Sequence, residues 1–252
     1  MSDKEQVRGK SVLLFSGGMD SLILNHLLTP DVLLWIPTTE SYYLEESVAL
    51  NTLVRLRYVS KEKLVRLPGV LDLDNWEREG DFVVPNRNAY LVLLAANYGE
   101  DIYLGAAAGD WPYDKDKEFC YRMGELLNHM NKEQAWTEAR HFRVRSPYYT
   151  NFHNGKSKTE MVKMYLEHGG SKDALLISYS CYSGKSTPCG VCKPCFRKWV
   201  ALINNNIKFP DGYFATDPKE APWLPEVLPL IAQGKWHPKE DESILKALEA
   251  CS

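Results

Sequence analysis

No apolar run in this sequence approaches the roughly 18 residues a membrane-crossing helix needs, so no span is expected. Repeats and low-complexity tracts are absent too, which sets aside solenoids and biased linkers. The opening segment, Met1 to Lys10, is polar and of mixed charge and lacks the apolar stretch of a secretory signal; the expectation is a cytoplasmic chain. Excess basic charge is also lacking. Lys and Arg number 30 against 33 Asp and Glu, a formal net charge of -3, so broad nucleic-acid binding is not expected, although a local basic patch stays open. Structural disulfides do not persist in a reducing compartment. The six cysteines therefore read first as metal ligands or catalytic thiols.

What is present is an ordinary globular balance, 44% apolar and 25% charged over 252 residues, enough for one sizeable core with a small appendage. Ser11 to Phe15 is a short apolar run stopped by Ser16-Gly17-Gly18 and reads as a buried strand. A helix over Ser21–Leu28, a strand over Val32–Ile36 and a helix over Glu45–Tyr58 follow. After a less legible stretch come a helix over Ala89–Tyr98, a strand over Asp101–Leu104 and a long helix from Lys117 to Asn131. Arg143–Arg145 reads as a short strand, Lys158–His168 as a helix and Leu175–Ser178 as a last strand. Alternation of this kind predicts an α/β fold, a doubly wound parallel sheet joined by right-handed crossovers. Ligands then collect at the carboxyl ends of its strands. Past Ala201 the chain turns rich in Pro and Trp, so the expected division is a main α/β domain over 1–200 and a C-terminal extension over 201–252.

Ser16-Gly17-Gly18-Met19-Asp20-Ser21 sits between the first strand and the first helix, where backbone N–H groups and the positive helix end converge on an anion. Adjacent glycines let the main chain approach phosphate oxygens, and Ser16 and Ser21 add hydroxyls. Asp20 acts there through Mg²⁺ or caps the helix. The Walker pattern is absent. The run SGGMDS instead resembles the PP-loop of ATP pyrophosphatases, which leave AMP on the substrate and release pyrophosphate. Phe15, Ser16, Gly17, Gly18, Met19, Asp20 and Ser21 are thus the candidate ATP site; the plainer alternative is a glycine-rich turn before a capped helix.

Cys181, Cys189, Cys192 and Cys195 give the spacing C-x7-C-x2-C-x2-C. Three thiolates within seven residues can wrap one tetrahedral ion if the fourth folds back, and four sulfur ligands leave no open position for water. A structural zinc is expected, with an iron–sulfur cluster as the competing reading. Cys120 and Cys251 read as inert thiols.

These two motifs, in this order, resemble the 7-cyano-7-deazaguanine synthase (QueC) family. Val84-Pro85-Asn86-Arg87-Asn88 is similar to its V-P-G-R-N element, and Gly105 to Asp110 with Tyr113, Asp114 and Glu118-Phe119 to its G-x-N-A-x-D…Y-P-D-C-R-P-E-F stretch. Ser157 to Val162 is similar to S-K-x-E-I-V, and Ser180-Cys181-Tyr182 to the S-C-Y that opens the zinc loop. The likeness runs from about Ser11 to Trp199 and leaves out the tail. It implies conversion of 7-carboxy-7-deazaguanine, ATP and ammonia to the nitrile (preQ0) through an adenylate, an amide and a second activation. It further implies Asp20, Arg87 and Lys158 as catalytic groups, and Arg87, Asn88, Asp110, Tyr113 and Asp114 as substrate contacts. Asp110 and Asp114 would accept hydrogen bonds from the base edge and Tyr113 would stack on it. The plainer alternatives are a helix-end lysine in solvent, a surface arginine paired with a carboxylate, and ordinary loop polarity.

The chain departs from that pattern in several places. Ile36-Pro37-Thr38-Thr39-Glu40-Ser41 stands where Y-G-Q is usual, Asn86 replaces a glycine, Ala107 an asparagine and Asp116 an arginine, and one residue is missing between Tyr113 and Asp114. Stopping at the amide, or acting on another carboxylate, therefore stays open. So do a tRNA-modifying or amide-forming PP-loop enzyme and a non-catalytic nucleotide sensor, against which the acidic balance and the intact SGGMDS respectively weigh. Trp223, Leu224, Leu228, Leu230, Ile231 and Trp236 could cover a partner subunit, as in a homodimer, as easily as their own core.

Overall fold

The computed structural model describes residues 7–38, 42–73, 76, 84–107, 110, 113–150 and 155–250. Its elements run β1 (Ser11–Leu14), α1 (Met19–Leu28), β2 (Val32–Trp35), α2 (Tyr43–Arg55), β3 (Leu64–Arg66), α3 (Arg87–Ala95), β4 (Asp101–Tyr103), α4 (Lys117–Met130), β5 (Arg143–Arg145) and α5 (Pro147–Thr150). The helices α6 (Lys158–Glu167), α7 (Lys172–Ile177), α8 (Lys193–Ile203), α9 (Leu224–Ala232) and α10 (Asp241–Ala250) follow.

All five strands are parallel, in the order β3-β2-β1-β4-β5. Val12 in β1 faces Val32 on one side and Ile102 on the other, so the middle of the sheet is made of β-branched and Leu residues buried on both faces, as a doubly covered sheet requires. Side chains alternate along each strand. Leu13, Leu33 and Trp35 pack with α1, α2, α6 and α7, whereas Val12, Leu34, Ile102 and Val144 pack with α3 and α4.

The expected strand at Leu175–Ser178 is instead part of helix α7. Ser171 caps it by accepting from the Ala174 N–H, and a short apolar run of that length fits a buried helical turn as well as a strand. The third strand lies in the less legible stretch, where Leu64, Val65 and Arg66 pair with Leu33, Leu34 and Trp35 of β2.

Beyond Ala201 the described residues add helices only. Helix α8 runs through the expected boundary at residue 200, and its Phe196, Trp199 and Val200 form one apolar cluster with Leu224, Ile231, Trp236, Ile244 and Ala247. Leu224, Ile231 and Trp236 are thereby buried within the chain itself, while Leu228 and Leu230 stay exposed.

Candidate functional site

The strand order reverses between β1 and β4, and the loops leaving their carboxyl ends bound a cavity of about 300 Å³, within the range of small-molecule sites. Phe15 stays beside β2 by donating its N–H to the Leu34 carbonyl at 2.9 Å. The chain then turns at Gly17, whose φ of +82° favours glycine. Ser16 Oγ accepts from the Gly18 N–H (3.1 Å), and Ser21 Oγ donates to the Gly18 carbonyl (3.1 Å). No side chain caps α1 at Gly18, so its first N–H groups stay available to an anion. Across the cleft, Gly105 past the end of β4 lies against this loop, where a Cβ would stand in ordinary contact 3.4 Å from the Ser21 nitrogen.

Asp20 is therefore not a helix cap. One of its carboxylate oxygens pairs with Lys158 Nζ, while Oδ1 is buried with no hydrogen-bond partner among the described residues. Lys158 arrives at the start of α6, which a complete capping box fixes: Ser157 Oγ accepts from the Glu160 N–H, and the Glu160 carboxylate accepts from the Ser157 N–H at 2.8 Å. Arg87 opens α3 and donates to the Tyr42 hydroxyl at 3.3 Å. Tyr42 and Tyr182 lie with ring centroids 5.3 Å apart on the cavity wall, and Asn88 lines it as well.

Asp110 does not offer an open carboxylate to a base. Its Oδ1 accepts from Arg197 Nη1 at 2.7 Å, and its Oδ2 accepts from the Ala107 N–H at 3.2 Å and pairs with Lys115 Nζ at 3.2 Å. Burial would raise its pKa, but Lys115, Arg197 and Lys158 together hold it well below the usual carboxylate range. Asp114 is not among the residues lining the cavity, and the Tyr113 side chain lies outside the described part, as do Thr39, Glu40, Ser41 and Cys251.

Sequence reasoning missed Lys115, Arg197, Lys198 and Tyr42 on this wall. Arg197 was within reach of pattern: Pro194 just inside a helix start and Trp199 and Val200 beyond predict α8, which aims its first turn from the cysteine loop into the cleft. Lys198 is buried, and burial pushes its amine down to about 7. Arg87, Lys115, Lys158 and Arg197 face Glu46, Asp20 and Asp110 around the cavity. The excess is positive, which suits an anionic ligand.

The four clustered cysteines converge, their Sγ atoms all within 4.8 Å of one another. Cys181 Sγ accepts from the N–H groups of Ser183 and Cys189 (3.3 Å each), and Cys189 Sγ from the Cys192 N–H (3.4 Å). Gathered this closely, the four sulfurs can hold one metal ion between them. The cluster leaves no protein-free coordination position in a tetrahedral ion. Cys120 stands apart, buried, with its thiol pushed up to about 12 by that burial, as an inert thiol should be.

Fold and site together define a class: an α/β nucleotide-binding protein with a PP-loop at the sheet's switch point and a four-cysteine loop as one wall of the cleft. Within that class the chain belongs to the QueC family, since residues 46–206 match the family described as "Queuosine biosynthesis protein QueC". It is 27% identical over 231 residues to the 7-cyano-7-deazaguanine synthase of Psychromonas ingrahamii, covering 81% of this chain and 97% of that one. The synthase of that name from a Sulfurihydrogenibium species is 27% identical over 76% of this chain and 93% of its own. That of Archaeoglobus fulgidus is 24% identical over 80% and 89%.

Proposed function

We infer that the protein converts 7-carboxy-7-deazaguanine and ammonia to 7-cyano-7-deazaguanine with ATP, through an adenylate and an amide. The observation that carries this reading is an uncapped helix start in SGGMDS opening on the same cleft as Lys158, Arg87, Lys115 and Arg197, in a chain of the QueC family. A carboxylate is a poor electrophile until an oxygen becomes a leaving group. Attack of the acid on the α-phosphorus of ATP forms the acyl–AMP bond and expels pyrophosphate. Ammonia then displaces AMP, losing a proton, to give the amide. A second round activates the amide oxygen, and its departure as AMP with loss of the remaining N–H protons leaves the nitrile.

In this reading the backbone N–H groups from Met19 to Ser21 hold phosphate oxygens, and Lys158 and Arg87 neutralise the charge that grows on the departing pyrophosphate. The unpartnered Oδ1 of Asp20 suits a Mg²⁺ ion, which would bring charge neutralisation to the phosphates. Asp110 serves by orienting Lys115 and Arg197, and the Tyr42–Tyr182 pair offers a stacking face for a flat heterocycle. The metal of the cysteine loop is zinc and its role is structural.

The test is to incubate the protein with 7-carboxy-7-deazaguanine, Mg-ATP and ammonium and to follow mass. Expected are the nitrile, AMP and pyrophosphate. Accumulation of the amide would mean that the second activation does not occur. An unchanged acid, with pyrophosphate released on another carboxylate, would remove the deazaguanine assignment and leave the adenylating one standing.

A further inference from the structure

Residues past 206 lie outside the matched family region, yet one of them reaches the cleft's own cations. Glu240 precedes α10 with its side chain 5% exposed. Its Oε2 accepts from Arg197 Nε at 2.7 Å and its Oε1 from Arg197 Nη2 at 2.9 Å, while Arg197 Nη1 donates to Asp110 at 2.7 Å. Oε1 also accepts from the backbone N–H of Lys158 at 3.2 Å. One carboxylate thus grips the guanidinium side-on and the helix that carries Lys158.

The grip has geometric consequences. A guanidinium has five N–H donors in one plane; two go to Glu240 and one to Asp110, so the plane is fixed, and the remaining donors, one on each Nη, belong to a group that lines the cleft. Burial works against both charges, but each sustains the other: the Arg197 guanidinium holds Glu240 ionised, and Glu240 with Asp110 keeps Arg197 charged. Glu240 is itself placed rigidly. The Asp241 carboxylate accepts from the N–H groups of Trp236 and His237 (3.0 and 2.9 Å), and Trp236 stacks on Trp223, whose indole N–H donates to the Val191 carbonyl in the cysteine loop (2.7 Å).

We propose that Glu240, supplied by the C-terminal extension, is a positioning residue that orients Arg197 toward the anionic ligand of the cleft. Its role in turnover rests on the reaction proposed above; its role in binding does not. The experiment compares full-length wild type with Glu240→Gln, Glu240→Asp and Glu240→Ala. Expected for Glu240→Gln is a kcat lowered on the order of 10²-fold, the scale of a misplaced catalytic contact, with a melting temperature near wild type. Formate should restore activity several-fold to Glu240→Ala and not to Arg197→Ala. The same proteins are titrated with a non-hydrolysable Mg-ATP analogue, where Glu240→Gln should bind about tenfold more weakly, so that a wild type inactive on the deazaguanine acid still leaves the proposal tested. Unchanged analogue affinity together with unchanged kcat, or with a wild type that does not turn over, would overturn it and make Glu240 an anchor of the extension alone. If Glu240→Ala fails to fold, the Gln and Asp variants carry the same comparison.

Discussion

At Asn86 the backbone has φ of +62°, in the left-handed region where glycine is at ease and asparagine is the side chain most readily tolerated. From sequence, Asn86 looks like a departure from a glycine pattern at the ligand site. In the structure it keeps the conformation a glycine would supply, and it presents Arg87 as the first residue of α3. Asp116 is similar: it stands where an arginine is usual and caps α4 by accepting from the Phe119 N–H at 2.8 Å. A pattern of letters shows that a residue differs; only dihedral angles and hydrogen bonds show what its replacement preserves. The expectation for Asn86 is specific. Asn86→Gly should be neutral within about 0.5 kcal/mol, and Asn86→Ala should cost about 1 kcal/mol through its Cβ in the left-handed region, both measured by urea unfolding. Equal losses in the two variants would mean that the amide group, not the backbone, is what matters there.

Among the elements, those with a clear period or a clear stop were legible, as were the short strands β4 and β5, whereas β3 and α7 were not. Ser11 to Phe15 is stopped by Ser16 and two glycines, and the spacing of Phe119, Met123 and Leu127 marks the face that α4 packs inward, Leu126 standing exposed beside it, so β1 and α4 could be placed closely. Three-residue β3 carries too little pattern to separate it from a loop, and Leu175-Leu176-Ile177 fits either period. The start of α6 shows how an element serves the site, because its capping box sets where Lys158 emerges. Burial raises the Glu160 pKa, but the Ser157 N–H, Lys156 and the Ser157 hydroxyl outweigh it, so the net shift is downward from 4.5. A depressed carboxylate contributes stability that is whole above its unfolded value and is lost as pH falls through the lower folded one. Ser157→Ala should therefore cost about 1 kcal/mol at neutral pH, and the gap from wild type should narrow below about pH 4. A gap that stays constant with pH in urea titrations would detach Glu160 from the cap.

Across the whole molecule the cysteine loop joins three parts that sequence alone presents as separate motifs. Tyr179, just before the loop, donates its N–H to the Gly17 carbonyl of the PP-loop at 3.4 Å. Within it, Gly190 lies so close to the extension that a Cβ there would fall 1.9 Å from the Thr216 carbonyl oxygen, and the Ala215 N–H donates to the Pro188 carbonyl at 2.9 Å. Cys181 and Cys195 are buried with Ala49 of α2 and Tyr179, and Phe214 of the extension packs against them. The spacing of four cysteines announces a possible metal site; what no spacing could announce is that the cysteine cluster lies at the junction of phosphate loop, cleft wall and tail. If zinc holds that junction, the purified protein should contain about one zinc per chain. Removing it with a chelator, or replacing Cys192 by Ser, should then lower the melting temperature and loosen the extension together, the latter read as a change in the fluorescence of Trp223 and Trp236. Binding of a non-hydrolysable Mg-ATP analogue to the zinc-depleted protein should weaken in step, because Tyr179 and Gly17 lose their fixed partner. Protein free of zinc at full stability, or an absorption band of an iron–sulfur cluster, would overturn the assignment of the metal. Zinc loss that lowered stability but left analogue binding untouched would keep the metal and remove its tie to the phosphate loop.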